Sequence, residues 1–189
     1  MIPLKVDSVP NRFPIVTALF IALCLAAFFM RDQFAAYGHG FVPVDFMYGL
    51  LHPGRSTADT TLALLLSFFL HAGPLHLLSN MWYLWIFGSA LEYTTGMGVF
   101  TVVYLVCGIV SMIAQAVSTP LSSIPVIGAS GAVAGVMGAM MVLLPFSRVV
   151  LWFPPIFFIR FPAVFFLLFW FIIQYLGMRR SIPEGGGVA

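Results

Sequence analysis

Residues Met97 to Val117 read MGVFTVVYLVCGIVSMIAQAV, a stretch with no charged side chain. A helix needs about 20 consecutive apolar residues to cross a bilayer, and this stretch meets the requirement. Four more runs compete for the same status: Phe13 to Met30, Pro74 to Glu92, Val126 to Leu144 and Phe161 to Met178. Composition points the same way. The chain is 61% hydrophobic and 7% charged, against about 25% charged in a soluble domain. That inventory leaves too little polar surface to face water. The expectation is an all-α, polytopic membrane helix bundle of five transmembrane spans, forming a single membrane domain over residues 1–189.

Punctuation between the runs refines this reading. Phe13 to Met30 lies between Arg12 and Arg31 with no convincing cleavage site after it, so it reads as a retained anchor rather than a signal peptide. Thr61 to Leu91 is too long for one span and is broken by HAGP at 71–74. Leu62 to Leu70 is then a half-inserted or interfacial piece, and the next span starts near Pro74, a residue favoured at the first helical position. Arg148 to Arg160 carries FPP and is expected to form a short re-entrant hairpin, and Arg31 to Thr60 is the one long loop. A net charge of +2, scattered along the chain, gives no footprint for nucleic acid. Cys24 and Cys107 both sit in apolar runs, which argues against a disulfide framework. Lys and Arg are shared evenly between the two sets of loops, so charge does not orient the chain.

Alternating spans bring three polar residues to similar depth. The second and fourth spans run in the same direction, so their N-terminal ends open on one membrane face. HAGPLHLLSN opens the second, with His76 and Asn80 four residues apart on one helical face. IGASG opens the fourth, placing Ser130 in its first turn. There the free backbone N–H groups and the positive end of the helix dipole would stabilise an oxyanion. An imidazole and a carboxamide from the neighbouring helix would add donors. Each residue also has a packing interpretation. Gly128, Gly131, Gly135 and Gly138 recur at three and four residues, a small-residue stripe for close helix approach. His71 is positioned to cap the second span or hold its loop, and Met81, Trp82, Trp85 and Phe87 are lipid-facing or core. A metal fits poorly, because two histidines stand without a clustered carboxylate or thiolate.

With GASG at 128–131 and HAGPLHLLSN at 71–80, the chain resembles the rhomboid-type intramembrane serine proteases. That family carries G-x-S-G at the head of the fourth span and H-x-x-x-x-H-x-x-x-N at the opening of the second. MIPLKV at the start and LPFSRV after the fourth span also resemble bacterial members. The resemblance implies that Ser130 is the nucleophile and that His76 and Asn80 are oxyanion donors. It makes His71, Gly128 and Gly131 structural or substrate-binding. It implies a cytoplasmic N-terminus, a multi-pass cell-membrane location, transmembrane protein substrates and no cofactor; it says nothing of oligomeric state. Ala134 stands where some members carry an aromatic residue. The family's general base is a histidine on a sixth span. This sequence has four histidines, His39, His52, His71 and His76, and a serine without a base is a weak nucleophile. The chain is therefore expected to be an incomplete, truncated protease, inactive as these 189 residues alone. The alternative is a catalytically inactive rhomboid-like protein that binds transmembrane clients.

Overall fold

A computed structural model describes residues 2–7, 12–30, 40–51, 57–153, 155 and 157–181. His39, His52 and the glycine-rich tail lie outside them. The described chain is mostly helical. Helix α1 (Ile15–Phe29) is followed by α2 (Pro43–Leu51), α3 (Thr57–Ser67) and α4 (Pro74–Tyr83). A π-helical segment, Leu84–Gly88, continues α4 into α5 (Ser89–Thr95). Then come α6 (Met97–Ser118), α7 (Ser130–Leu143) and α8 (Ala163–Ser181). Among the described residues α6 is the one unbroken helix long and apolar enough to cross a membrane by itself; Ile15–Phe29, Ser130–Leu143 and Ala163–Leu176 are shorter apolar helices. Val99, Val102, Val106, Val110, Ile113 and Val117 make an exposed apolar stripe along α6, a face suited to lipid tails rather than water.

Two expectations are corrected. The fold is not purely helical: β1 (Ile2–Val6), β2 (Arg148–Phe153) and β3 (Phe157–Pro162) form an antiparallel sheet in the order β1-β2-β3. The expected hairpin at 148–160 is a β-hairpin, with Arg148 opposite Pro162 and Phe153 opposite Phe157. Its strands are rich in β-branched and aromatic residues, which suit a pleated surface. The N-terminal strand adds on with Val6 opposite Val149, and Trp82 Nε1 donates to the Pro3 carbonyl at 2.8 Å. The second correction concerns Arg31 to Thr60, which holds α2 and the start of α3 rather than loop alone. Phe41, Leu64, Phe68, Met112 and Ala116 form a small core that seats these helices on α6.

The larger core runs through α1, α4, the π segment, α6, α7 and α8. Helix α1 has no side-chain cap of its own. Glu92, buried at the far end of the α4–α5 rod, supplies one. Its Oε1 accepts from Val16 N at 3.0 Å, and its Oε2 accepts from Thr17 N at 2.8 Å and Thr17 Oγ1 at 2.7 Å. A carboxylate there satisfies free N–H groups and complements the helix dipole. The glycine stripe of α7 is mostly occupied. A Cβ on Gly131 would collide with the Ser111 side chain, and one on Gly135 with Cys107, so α6 fills both positions; a Cβ on Gly138 would meet nothing within 4 Å. Cys24 and Cys107 are free thiols. Met81 and Phe87 are buried, whereas Trp82 and Trp85 are exposed.

Candidate active site

The chain turns into α7 through Gly128, whose φ of +127° belongs to a region that side-chain-bearing residues rarely adopt. The turn is anchored from the first-loop helices. Gly128 N donates to the Ser67 carbonyl at 2.8 Å, and Val126 N to the Phe41 carbonyl at 2.8 Å. Ser67 Oγ in turn accepts from Phe41 N at 2.7 Å and donates to the Ala63 carbonyl at 2.6 Å. Ser130 is the first residue of α7, so its own N–H and the next two have no acceptor within the helix. Its side chain is exposed.

Opposite, α4 begins with Gly73 as cap and Pro74 in its first turn. His76, Asn80 and Tyr83 recur on one face of that helix. The His76 ring lies against Gly128: a Cβ there would sit 2.7 Å from Cε1 and 2.9 Å from Nε2. The glycine is thus required twice, for its backbone and for the imidazole. Asn80 is buried, and its Nδ2 has no hydrogen-bond partner. His71 is buried too, outside the helices. Its Nδ1 is 3.2 Å from the Phe69 carbonyl, its Nε2 is unpartnered, and its ring meets His76 edge-on with centroids 5.2 Å apart. Burial, with a smaller contribution from nearby His76, pushes its pKa down to about 4, so the ring is neutral near pH 7.

These side chains share one cleft of about 470 Å³. Helix α4 lines it with His76, Ser79, Asn80 and Tyr83, and α7 with Ser130 and Val133. Trp170 and Gln174 on α8 close the third side. His76, Asn80 and Ser130 are therefore together. Gly131 is not part of the cleft lining; its missing side chain makes room for Ser111. The sequence reading missed Tyr83, Trp170 and Gln174. Tyr83 follows His76 by two turns on the same face, a signal that was available. Which face of α8 turns inward was not. Among the described residues no three His, Cys, Asp or Glu side chains converge to hold a metal.

The arrangement offers a hydroxyl at a helix N-terminus, an enclosed amide donor and an imidazole held in place by a glycine. The Rhomboid domain family model matches residues 58–182. Rhomboid protease GluP of Bacillus subtilis (strain 168) is 35% identical over 131 residues, covering 69% of this chain and 25% of that protein. The mitochondrial presenilin-associated rhomboid-like protein of Mus musculus is 34% identical over 96 residues, 50% of this chain and 26% of that protein. Putative rhomboid protease YdcA of Bacillus subtilis (strain 168) is 39% identical over 79 residues, 42% of this chain and 39% of that protein. The chain thus spans about a quarter of the length of the first two relatives.

Proposed function

The chain belongs to the rhomboid family of membrane proteins, and on that premise we propose that it is an intramembrane serine endopeptidase acting on transmembrane protein substrates. Ser130 is the nucleophile. Its Oγ bonds to the scissile carbonyl carbon while the carbonyl electron pair moves onto oxygen. Asn80 Nδ2, His76 and the Ser130 N–H receive that oxyanion. The observation that carries this assignment is the unpartnered Asn80 Nδ2, enclosed beside Ser130 in one cleft, because a buried donor without an acceptor is costly unless something fills the place. Collapse of the intermediate breaks the C–N bond, the amine leaves with the serine proton delivered by a base, and water releases the acyl group.

His76 is assigned as an oxyanion donor and His71 is not among the described residues that line the cleft, so we assign the base to neither. The five apolar runs are assigned as five spans, with the N-terminus cytoplasmic in the cell membrane and the cleft opening on the outer face. A fluorophosphonate probe, which bonds to an activated serine, tests the assignment. The full gene product should label at Ser130 and cut a membrane substrate. Ser130→Ala should abolish both, and loss of His76 or Asn80 should lower turnover by a factor of about 10² to 10³. Cleavage at the normal rate by Ser130→Ala would sink the proposal. A second reading, a rhomboid-like binder of transmembrane clients, is favoured by the described cleft lining, which holds no histidine besides His76. It requires client binding with no probe labelling.

A further inference from the structure

Between Ala163 and Leu176, α8 reads AVFFLLFWFIIQYL, with no charged residue and a single carboxamide, Gln174. A carboxamide facing lipid is costly unless it meets a partner. Gln174 lines the cleft one turn beyond Trp170 and makes no hydrogen bond to any described residue. Ser79, also in the cleft, is already engaged with the His76 carbonyl at 3.0 Å. Two amide groups with unused capacity therefore line the cleft, Asn80 on α4 and Gln174 on α8. The proposed chemistry uses only the first.

A helix in a bilayer pairs its backbone N–H and C=O groups internally. A serine hydroxyl reaches a carbonyl of such a helix only where a few residues are unwound, and unwinding frees backbone groups in a medium with little water. One carboxamide offers an acceptor oxygen and two N–H donors, the complement of a single peptide edge. We infer that Gln174 is a substrate-binding residue that takes the backbone of an unwound transmembrane segment, its Oε1 accepting a peptide N–H and its Nε2 donating to a peptide carbonyl. The bond sets which peptide unit faces Ser130. Because it reads backbone, it tolerates varied side chains. The inference rests on the protease reading for calling the bound helix a substrate; the bond itself serves an uncut client equally.

The test uses the full gene product with Ser130→Ala in liposomes, so that binding is read without cleavage. The probe is a fluorescent Leu/Ala transmembrane peptide with a glycine-rich centre. Central amides are replaced one at a time by esters, each of which removes one N–H. One ester should weaken binding about tenfold, and the same ester should have no effect against Gln174→Leu, a side chain of similar size without hydrogen-bonding groups. Melting temperature should be unchanged by Gln174→Leu, which a merely structural role would not allow. Gln174→Met serves as the second variant should the leucine protein misfold. The inference is overturned if no ester position is sensitive, if the sensitivity survives in Gln174→Leu or Gln174→Met, or if both variants unfold. Absence of labelling and cleavage with Ser130 intact, alongside a surviving ester effect, removes the protease reading and leaves this one standing.

Discussion

Gly128 and His71 together hold His76 in place. Gly128→Ala should force the backbone out of its φ of +127° and drive a methyl group into the imidazole. The backbone strain alone costs roughly 1–3 kcal/mol. Gly138→Ala, where the methyl meets open space, should be neutral or stabilising by up to about 1 kcal/mol. Thermal melts of the two variants, with probe labelling of Ser130, check the contrast; equal melting temperatures would remove the argument. His71 predicts a pH dependence. Above its ordinary value of 6.5 the ring is neutral both folded and unfolded, and contributes no slope. As pH falls from 6.5 to about 4, the unfolded chain takes a proton that the buried ring refuses, so stability drops, by roughly 3 kcal/mol in total. Below about 4 that slope ends. His71→Gln keeps a donor for the Phe69 carbonyl and should flatten the melting temperature between pH 6.5 and 4.

At the scale of elements, α1 depends on a carboxylate from another helix. Glu92→Ala strips acceptors from Val16 N, Thr17 N and Thr17 Oγ1 in a buried place. Each hydrogen bond to a charged group is worth about 1.5–3 kcal/mol, so the variant should lose several degrees of melting temperature, and Glu92→Gln less. A melt unchanged by Glu92→Ala would show that α1 is held by packing alone. This cap was not legible in the sequence, because Glu92 and Thr17 are 75 residues apart. Most of the helices were legible, since long apolar runs fix them without reference to neighbours. The strands were not: RVVLWF is a short continuous apolar run, and such a run does not distinguish strand from buried helix. Helix α2 and the start of α3 escaped for a related reason, the apolar residues of this segment gaining partners on α6. His76, Asn80 and Ser130 were placed together by helical spacing and span direction. Trp170 and Gln174 depended on the rotation of α8, which sequence spacing does not set.

Across the whole molecule, the sheet ties the N-terminus to the wall of the cleft. β1 pairs with β2, buries Val6, receives the Trp82 indole at Pro3, and is followed by Asp7, which takes Arg160 Nε at 2.7 Å and Lys5 Nζ at 3.2 Å. The ion pairs are exposed and add little; the ladder and the buried valine do most of the holding. β3 passes directly into α8, whose first turn is fastened by Ala163 N to the Ser147 carbonyl at 2.7 Å and Val164 N to the Pro145 carbonyl at 2.9 Å. Trp170 lies two turns further on, packed on Tyr83 with ring centroids 5.9 Å apart. Loosening β1 should therefore reach α8. Trp82→Phe removes one hydrogen bond, worth about 1 kcal/mol, and deletion of residues 2–7 removes the whole strand. Hydrogen exchange read by mass spectrometry should speed up in β2, β3 and the first turns of α8, mildly for Trp82→Phe and strongly for the deletion, while α6 keeps its protection. Faster exchange confined to β2 would mean that the hairpin stands without β1 and that the N-terminus has no hold on the cleft.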